Sequence, residues 1–323
     1  MEINWRKIQR NNFTNWHLLS DFLHLDEKQR LEILTNTPFS LNLPKRLADK
    51  IKKKCLNDPI LLQFLPLTRE NEEVEGFFID PVSDFSFQKT PKLLHKYPGR
   101  VLLLCSSACV MHCRFCFRRN YPYEHTDFDF DKELSIIQED PSIYEVILSG
   151  GDPLSLSDEK LTALILNLEK IPHLKLLRLH TRFPIGIPER ITDSFLETLS
   201  KTRLQVIFIL HANHPRELDE EVMEALKKIQ KVGGTVLSQT VLLKMVNDSE
   251  ESLSELFLIL VQGGVIPYYL HQLDRVKGCS SFEVTKERGI QLINNLRKRL
   301  PGYAIPTYVQ EIPFKQSKTP VME

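Results

Sequence analysis

Short apolar segments alternate with amphipathic segments along most of the chain from residue 100 onward. The apolar segments are rich in β-branched residues and have the length of buried strands, at 101–105, 146–148, 174–179, 204–210, 235–243 and 265–270. Helical periodicity follows each of them, near 131–139, 158–170, 189–201, 216–232, 249–262 and 282–299. Six successive strand–helix units predict parallel strands joined by right-handed crossovers. The predicted fold class is therefore α/β, a partial (β/α)6 barrel with its chemistry at the carboxyl ends of the strands.

The regions on either side of this alternation have different patterns. Residues 1–93 begin with helical periodicity, and prolines and acidic residues interrupt it between 61 and 92, as in a connector that wraps a domain. The segment after residue 300 shows no clear periodicity. We therefore predict three parts: an N-terminal helical region and connector (1–93), the partial barrel (94–300) and a C-terminal tail (301–323).

Polar side chains end or follow the predicted strands. A cysteine-rich loop follows the first strand, and the later strands are followed by polar residues at 149–152, 180–182, 211–214 and 271–275, with Gln239 inside the fifth strand. Because the carboxyl ends of parallel barrel strands meet at one rim, these groups are expected to form a single site.

Three cysteines, Cys109, Cys113 and Cys116, have C-x3-C-x2-C spacing in the loop after the first strand. Thiolates bind soft metal centres, and three of them leave one iron of a cubane cluster without a protein ligand. This spacing resembles that of radical S-adenosylmethionine (radical SAM) enzymes. A structural zinc site is the alternative, with His112 as a fourth ligand, but a tight loop between two cysteines would aim that ring poorly. Cys105 is expected to be buried and inert.

Composition excludes some classes of partner and compartment. Lys+Arg and Asp+Glu both number 42, so the balanced charge gives no overall attraction to nucleic acid or anionic membranes. No apolar segment has membrane-spanning length, and the N-terminus lacks the apolar core of a signal peptide. Four cysteines cluster between 105 and 116, which indicates a metal site and not a disulfide framework. We expect a cytoplasmic protein.

The remaining polar groups are weak signals when each is considered alone. The Gly-Gly-Asp stretch at 150–152 would indicate an ordinary turn. The polar residues His211, Gln239 and Asp274 would be satisfied groups in a barrel mouth. Their positions on successive strand ends favour a functional role. Lys318, in the tail, would be a solvated charge on composition alone.

Taken in order, the motifs resemble one family closely, the lysine 2,3-aminomutases, which are radical SAM enzymes that also use pyridoxal 5′-phosphate (PLP). The resemblance runs from residue 94 to 321 and covers Leu-His-Lys-Tyr-Pro-Gly-Arg (94–100), Cys-Arg-Phe-Cys-Phe-Arg-Arg (113–119), Ser-Gly-Gly-Asp-Pro-Leu (149–154), His-Ala-Asn-His-Pro (211–215), Ser-Gln-Thr-Val-Leu-Leu (238–243), Leu-Asp (273–274) and Lys-Thr-Pro-Val (318–321). The cysteine spacing alone identifies the superfamily, whereas the ordered set is specific to the aminomutases.

The resemblance implies three cofactors and the residues that bind them. A [4Fe–4S] cluster would be bound by Cys109, Cys113 and Cys116, and its fourth iron would take the amino and carboxylate groups of S-adenosylmethionine (SAM). The SAM site would be lined by Gly150, Gly151, Asp152, His211 and Gln239. PLP would be bonded to Lys318, with Lys315 as the alternative, and its phosphate would be held by Lys96 and Arg100. The family usually has arginine at one of these two positions, so Lys96 keeps the charge without the bidentate geometry.

The same resemblance implies the substrate and the product, L-α-lysine and (R)-β-lysine. Arg118 would pair with the substrate carboxylate as a planar fork. Asp274 and Glu311 would bind the side-chain ammonium, because an unpaired buried ammonium is costly. Glu311 stands where the long, clostridial type has aspartate, which leaves the preferred side-chain length open. The tail would fold over the barrel mouth, deliver Lys318 and seal the site.

The resemblance is to the short bacterial form associated with elongation factor P, for which a partner ligase would attach the β-lysine. An electron donor for the cluster is implied as well, and neither a nucleic-acid nor a membrane partner is expected. A related aminomutase acting on arginine or glutamate is the nearest alternative, and a cluster-bearing redox sensor or an RNA-modifying radical SAM protein is a more distant one. The oligomeric state, the product stereochemistry and the choice between free and protein-bound lysine are open from the sequence.

Overall fold

The N-terminal region forms short helices that are fixed by side-chain caps. In the computed structural model, which describes residues 4–123 and 128–322, these helices are α1 (Trp5–Gln9), α2 (Trp16–Leu23), α3 (Glu27–Leu31) and α4 (Lys45–Asp49). Asn4, Asn15 and Asp26 accept hydrogen bonds from backbone N–H groups of the first turns of α1, α2 and α3. Leu19, Leu43 and Leu47 are fully buried in the same core as the barrel strands. The N-terminal region is therefore packed onto the barrel.

A single sheet of ten strands runs through the described residues in chain order. Its strands are β1 (Gln88–Thr90), β2 (Leu93–Tyr97), β3 (Arg100–Ser106), β4 (Glu145–Gly150), β5 (Leu176–Thr181), β6 (Gln205–His211), β7 (Thr235–Val241), β8 (Ile266–His271), β9 (Thr307–Gln310) and β10 (Thr319–Pro320). Each strand from β3 to β9 is parallel to its neighbours in that series. β1 and β2 extend one edge in antiparallel pairing, and β10 extends the other.

Helices follow the parallel strands and cover the sheet. They are α5 (Asp131–Glu139), α6 (Asp158–Glu169), α7 (Phe183–Gly186), α8 (Asp193–Lys201), α9 (Glu220–Lys231), α10 (Glu250–Gln262) and α11 (Lys286–Arg299). Most of the long ones begin at a Ser, Thr or Asp side chain that accepts a backbone N–H of the first turn, namely Ser157, Thr192, Asp219, Ser249 and Thr285. No helix within 4–123 or 128–322 is long and apolar enough to cross a membrane.

The predicted α/β partial barrel is confirmed, and each predicted strand and helix of the alternation lies within a few residues of its expected position. The segment after residue 300, which shows no clear periodicity, adds β9 as a seventh parallel strand and β10, which pairs back against it. Strands this short carry too few residues to show a period. The division at 93 and 300 stays a prediction, and the sheet itself crosses both positions.

Side chains on β5 show how the sheet divides core from cavity. Leu177 and Leu179 are fully buried in the main hydrophobic core, whereas the alternate residues Leu176, Arg178 and His180 line a central cavity. This alternation follows from the two-residue period of a strand. The interior of the partial barrel is therefore a cavity whose wall contains both polar and apolar side chains.

A bulge on β8 changes the alternation locally. Ser238 and Gln239 of β7 pair with Pro267 and Tyr269 of β8, so Tyr268 is an extra residue. Tyr268 and Tyr269 both line the cavity, with ring centroids 3.7 Å apart and hydroxyl oxygens 2.8 Å apart. Bulges of this kind redirect side chains toward a site.

Candidate active site

One cavity of about 610 Å³ collects the side chains predicted from the sequence. Its lining includes the three motif cysteines, the Gly-Gly-Asp turn, His211 and Gln239, and every residue assigned by resemblance to PLP or substrate: Lys96, Arg100, Arg118, Asp274, Glu311 and Lys318. Lys315, the alternative to Lys318, is exposed to solvent and is not part of the lining. The structure thus brings the predicted residues together, and their individual roles stay predictions.

The N-terminal region holds the cysteine loop in place. The backbone N–H of His112 donates to Asn42 O at 2.9 Å, and that of Arg114 donates to Gln63 O at 2.8 Å. The Arg114 side chain is fully buried and donates to both carboxylate oxygens of Glu70, at 2.8 and 2.5 Å. The His112 ring faces Ser40 O, with Nδ1 at 2.9 Å. That ring is therefore engaged by the N-terminal region.

The three cysteine thiols share one electrostatic environment. Burial raises the pKa of Cys109, and the nearby Asp152, Cys116 and Cys113 raise it further. Burial likewise raises the pKa of Cys113, against the opposing charge of Arg182, whose Nη1 donates to its Sγ at 2.8 Å. Burial raises the pKa of Cys116 to about 11, and Cys113 adds to this. Thiolates crowded in this way need a positive centre between them, which a cubane cluster provides.

The spacing of these thiols bears on the kind of centre that fits. Among the described residues no group of three or more His, Cys, Asp or Glu side chains is arranged around a single metal ion. A cubane cluster binds each thiolate through a different iron, so it does not require three ligands around one point. The cysteine loop therefore fits a cluster that spans the three positions.

The Gly-Gly-Asp turn after β4 packs directly against the cysteine loop. Gly150 has φ +121°, and a Cβ there would collide with the carbonyl oxygen of Ser106. A Cβ at Gly151 would collide with the backbone of Ala108. Only glycine allows this approach and, at Gly150, this backbone conformation. The Asp152 carboxylate accepts hydrogen bonds from the Thr181 hydroxyl at 2.7 Å and the Arg182 N–H at 2.8 Å, so it joins the turn to the end of β5.

His211 and Gln239 lie side by side at the ends of β6 and β7, where they are Cα partners in the sheet. The His211 Nε2 lies 3.1 Å from Asn213 Oδ1, and its ring meets the edge of Phe115 with centroids 5.6 Å apart. Burial lowers the pKa of His211 to about 3, and Arg182 lowers it further, so the ring is neutral. A neutral imidazole and an amide are suited to hydrogen bonding a polar ligand.

A network of opposite charges crosses the cavity from the tail to the cysteine loop. Lys318 Nζ lies 2.9 Å from Glu311 Oε2, and the Tyr97 hydroxyl donates to Glu311 Oε1 at 2.5 Å. Lys96 Nζ lies 3.6 Å from Glu311 Oε1 and 2.8 Å from Asp84 Oδ1. Through Glu311 and Lys96, the network therefore links the tail lysine, Lys318, to Asp84.

Asp84 is a site residue that the sequence reasoning missed. It lies in the irregular connector, is buried, and accepts from Arg118 Nε at 2.8 Å. Burial alone would raise the pKa of Asp84, but the charges of Arg118 and Lys96 lower it below its ordinary value. No local pattern marks the residue, because its partners are distant in sequence. Asp84 therefore stays ionised between Lys96 and Arg118, which the resemblance assigns to the PLP phosphate and to the substrate carboxylate.

Two further histidines, His180 and His271, line the cavity and were recognised only as members of strand-end clusters. Burial lowers the pKa of His180 well below its ordinary value, and Arg178 and Lys318 lower it further. Its Nε2 is buried and has no hydrogen-bond partner within the described part of the chain. A buried polar atom without a partner is costly, so this position fits the polar group of a bound ligand.

Asp274 differs from the other acids because it stands without an ion pair among the described residues. Burial raises its pKa to about 7, the nearby Glu311 raises it further, and Lys318 opposes both. The folded protein thus favours the protonated form, while the unfolded chain ionises near 3.8. The destabilisation is absent below about pH 3.8, accumulates as the pH rises to about 7, and is constant above.

Asp274→Asn is therefore expected to raise the melting temperature of the ligand-free protein. The gain should grow between pH 4 and 7 and level off above, because asparagine removes a carboxylate that ionises at a cost. Differential scanning fluorimetry across this pH range measures the gain, with Asp193→Asn, a replacement at the start of the outer helix α8, as the matched control. A gain that is independent of pH would contradict the assignment of the raised pKa to Asp274.

The fold and the cysteine loop together define the class of the protein: it is a radical SAM enzyme, and residues 103–257 match the family model described as Radical SAM superfamily. The chain is 40% identical to the L-lysine 2,3-aminomutase of Haemophilus influenzae over 98% of this chain and 95% of that protein. It is 40% identical to the Escherichia coli protein of the same name, over 88% of this chain and 83% of that one. The Clostridium subterminale L-lysine 2,3-aminomutase is 34% identical to the chain, over 98% of this chain and 77% of that protein. The chain belongs to the lysine 2,3-aminomutase family.

Membership of this superfamily implies a [4Fe–4S] cluster and SAM, in agreement with the sequence prediction. The residues at the cysteine loop fit both, because the thiols are grouped on one loop and the glycine turn leaves backbone atoms accessible beside them. The enzyme is accordingly an isomerase of the radical SAM class.

Proposed function

We propose that the protein converts L-α-lysine to (R)-β-lysine with a [4Fe–4S] cluster, SAM and PLP. The observation that carries the proposal is the position of the tail lysine, Lys318, in the cavity of the cysteine loop and beside the acids Glu311 and Asp274. The activity for which these relatives are named, that of L-lysine 2,3-aminomutase, supports lysine as the substrate. When bound, the cluster and SAM supply a radical that abstracts hydrogen, and PLP delocalises the substrate radical during the 1,2-shift of nitrogen.

The C-terminal hairpin positions Lys318 for a covalent bond to PLP. Thr319 of β10 is the Cα partner of Gln310 of β9, so Lys318 and Glu311 are the next residues across the hairpin. The positive charge of Lys318 also lowers the pKa of both cavity histidines, His180 and His271. The hairpin would thus hold the amine at the cavity and would limit the access of water from that side.

Arg118 is oriented for the substrate carboxylate by neighbouring side chains. Asp84 accepts a hydrogen bond from Arg118 Nε at 2.8 Å, and Ser149 Oγ lies 3.3 Å from Arg118 Nη1. With Nε occupied, the terminal nitrogens form the edge of the guanidinium that remains for a carboxylate. Burial opposes the charge on Arg118, but Asp84 raises its pKa above the ordinary value, so Arg118 stays a cation.

Glu311 and Asp274 are the acids proposed to bind the substrate's side-chain ammonium. In the structure, Glu311 already has a cationic partner in Lys318. A substrate ammonium would take the place of the Lys318 amine as the cationic partner of Glu311. Asp274, which is buried without an ion pair in the described residues, would ionise fully when the ammonium arrives. The two acids would thus both face the substrate ammonium.

The experiment that tests the proposal is an anaerobic assay with iron and sulfide reconstituted, PLP, SAM, dithionite and an amino acid. L-Lysine, L-arginine and L-glutamate should be compared singly and in competition, with chromatographic separation of products. We expect β-lysine formation that depends on both SAM and PLP, and little reaction of glutamate because Glu311 and Asp274 repel its side chain. Faster conversion of arginine than lysine, or SAM cleavage that leaves all three unchanged, would contradict the proposed substrate.

We also propose that the β-lysine produced is attached to elongation factor P by a partner ligase in the cytoplasm. The resemblance to the short bacterial form supports the first part of this proposal. The six free cysteines of the described chain suit a reducing compartment. Adding the reaction products to elongation factor P and its ligase should increase the mass of the factor by one lysyl group. An unmodified factor in the presence of β-lysine would contradict the link while leaving the aminomutase reaction intact.

A further inference from the structure

Arg182 connects the end of β5 to the cysteine loop. It follows Thr181, the last residue of β5, and its backbone N–H donates to the Asp152 carboxylate at 2.8 Å. Its side chain is buried, and its Nη1 donates to Cys113 Sγ at 2.8 Å. The proposed function gives Arg182 no role. A cation that donates to a cluster-binding thiol can act on the cluster through that sulfur.

Two acceptors fix the direction of the Arg182 guanidinium. Its Nη2 donates to Gln63 Oε1 at 2.6 Å and lies 3.0 Å from Glu217 Oε2. Gln63 and Glu217 are themselves fully buried, and Gln63 Nε2 donates to Glu217 Oε1 at 2.9 Å. Because a guanidinium is planar, acceptors at Nη2 determine where Nη1 points. The donor to Cys113 is therefore held in one orientation.

Gln63 also ties Arg182 to the cysteine loop. The backbone N–H of Arg114, the residue after Cys113, donates to Gln63 O at 2.8 Å, whereas the Gln63 side chain accepts from Arg182. One residue of the N-terminal region thus holds both the loop that carries the thiol and the arginine that donates to it. The contact between Nη1 and Sγ is therefore fixed from both sides.

A second N–H group of the same guanidinium is unsatisfied. The Nε of Arg182 is buried and has no hydrogen-bond partner among the described residues. Arg182 lines the central cavity, and its guanidinium lies 5.5 Å from the centroid of the Phe115 ring in the cysteine loop. A buried N–H without a partner is costly, so this position fits an acceptor atom of the bound cofactor.

The charge of Arg182 is only partly compensated by Glu217. Glu217 Oε2 also accepts the Asn213 N–H at 3.2 Å, and its Oε1 accepts from Gln63, so its negative charge is shared with two further donors. The carboxylate bonds to Nη2, whereas Nη1 is directed at Cys113. The sulfur therefore faces the positive end of the ion pair. Because Coulomb energy falls with distance, the nearer cation determines the sign of the field at the sulfur.

We propose that Arg182 is a positioning residue for the reductive step and raises the reduction potential of the [4Fe–4S] cluster through Cys113. Reduction adds one electron from an external one-electron donor to the cluster, with no bond formed or broken, and the added negative charge is spread over the cluster's sulfur atoms. A hydrogen bond to a ligating sulfur and a fixed positive charge stabilise that reduced state. The inference rests on the cluster and does not depend on the proposed substrate or on PLP.

The test is an anaerobic redox titration of the reconstituted full-length protein, without SAM, PLP or an amino acid. Titanium(III) citrate supplies the electrons, and the reduced fraction is measured by visible absorbance and by the electron paramagnetic resonance signal. The main variant is Arg182→Gln combined with Glu217→Gln, which keeps the net charge and leaves no buried carboxylate without its cation. We expect the ratio of reduced to oxidised cluster at a given potential to fall about tenfold, which is about 59 mV for a one-electron couple.

Glu217→Gln alone should shift the potential in the opposite direction. It removes the compensating negative charge and keeps the arginine donor, so the ratio at a given potential should rise. A structural disturbance would not produce opposite signs in two variants that share one substitution. The matched control is Arg203→Gln, just before β6, where the side chain donates to three backbone carbonyls outside the cavity lining. This control should leave the potential unchanged even if the melting temperature falls.

The iron content of each variant decides how its titration is interpreted. An unchanged potential in the double variant with full iron content overturns the proposal, and so do shifts of the same sign in the double variant and in Glu217→Gln. If the double variant binds no iron, Arg182→Lys decides the case: lysine keeps the charge but lacks the planar fork that bonds Cys113 and both acceptors at once, so the potential should fall. An unchanged potential in Arg182→Lys, or failure of that variant to bind iron, would overturn the proposal in favour of a structural role. Unmodified protein that leaves lysine unconverted would instead contradict the proposed function alone.

Discussion

Replacing Cys113 by alanine is expected to abolish turnover and to remove the iron–sulfur cluster. Cys113 lies at the centre of the C-x3-C-x2-C loop, and its Sγ accepts a hydrogen bond from Arg182 Nη1 at 2.8 Å. With two thiolates the loop can no longer hold three irons of a cubane cluster. Iron and acid-labile sulfide should fall to background after anaerobic reconstitution, the brown absorbance should be lost, and β-lysine formation should be undetectable.

Two comparisons separate loss of the cluster from loss of the fold. Arg182 is buried, and removing Cys113 Sγ leaves one of its N–H groups without a partner, although Gln63 and Glu217 remain bound to it. Cys113→Ser keeps a polar atom near Arg182 and should restore thermal stability without restoring the cluster. Cys55→Ala, at a free cysteine outside the cavity, should leave iron content and turnover unchanged. An intact cluster and retained turnover in Cys113→Ala would disprove the ligand assignment.

The barrel could be predicted because the same pattern, an apolar strand followed by an amphipathic helix, is repeated along the chain. Each strand buries one face in the main core, so apolar residues recur over a stretch long enough to be recognised six times in succession. The parallel arrangement then places every strand end at one rim, and the cysteine loop, the Gly-Gly-Asp turn and His211 follow without knowledge of any contact. The roles of Lys318 and Glu311, by contrast, came from the resemblance, since a tail has no period.

The residues that were missed share a physical reason. Asp84 acts through Lys96 and Arg118, which approach it only after the connector has wrapped around the barrel. Arg178 lies within an apolar strand, and its ion-pair partner, Glu145, lies on the neighbouring strand. The β8 bulge that brings Tyr268 into the cavity depends on pairing with β7. Partners across such separations leave no local pattern, so only the folded structure brings them together.

The site also shows why its charges are organised in a network. Three acids and three bases share the cavity between the tail and the cysteine loop: Asp84, Asp274, Glu311, Lys96, Arg118 and Lys318. A buried charge is tolerated when it is paired and hydrogen-bonded. Asp84 and Glu311 have such partners, and their pKa values are lowered in spite of burial. Asp274 has none among the described residues and carries the raised pKa, and under the proposed function the substrate ammonium would supply the missing cation.

Replacing Lys318 by alanine is expected to remove covalent PLP binding and to reduce β-lysine formation to background. Lys318 is a tail residue in the lining of the cavity; its amine lies beside Glu311, and its charge lowers the pKa of His180 and His271. Borohydride reduction followed by peptide mass spectrometry should fix PLP to the 318 position in the unmodified protein and to no lysine in the variant. The cluster should be retained, because backbone hydrogen bonds from the cysteine loop to the N-terminal region do not involve Lys318.

The matched control is Lys315→Ala, which removes a lysine from the same tail segment where it is exposed to solvent. Both PLP attachment and turnover should be preserved. Lys318→Arg adds a sharper comparison, since it keeps the positive charge beside Glu311 but cannot form the covalent bond. Loss of PLP attachment in Lys318→Arg with an unchanged melting temperature would show that the amine itself is required, and not merely its ion pair. If PLP were instead fixed to residue 315, the alternative lysine would be the correct one, and the tail would have to rearrange to bring it into the cavity.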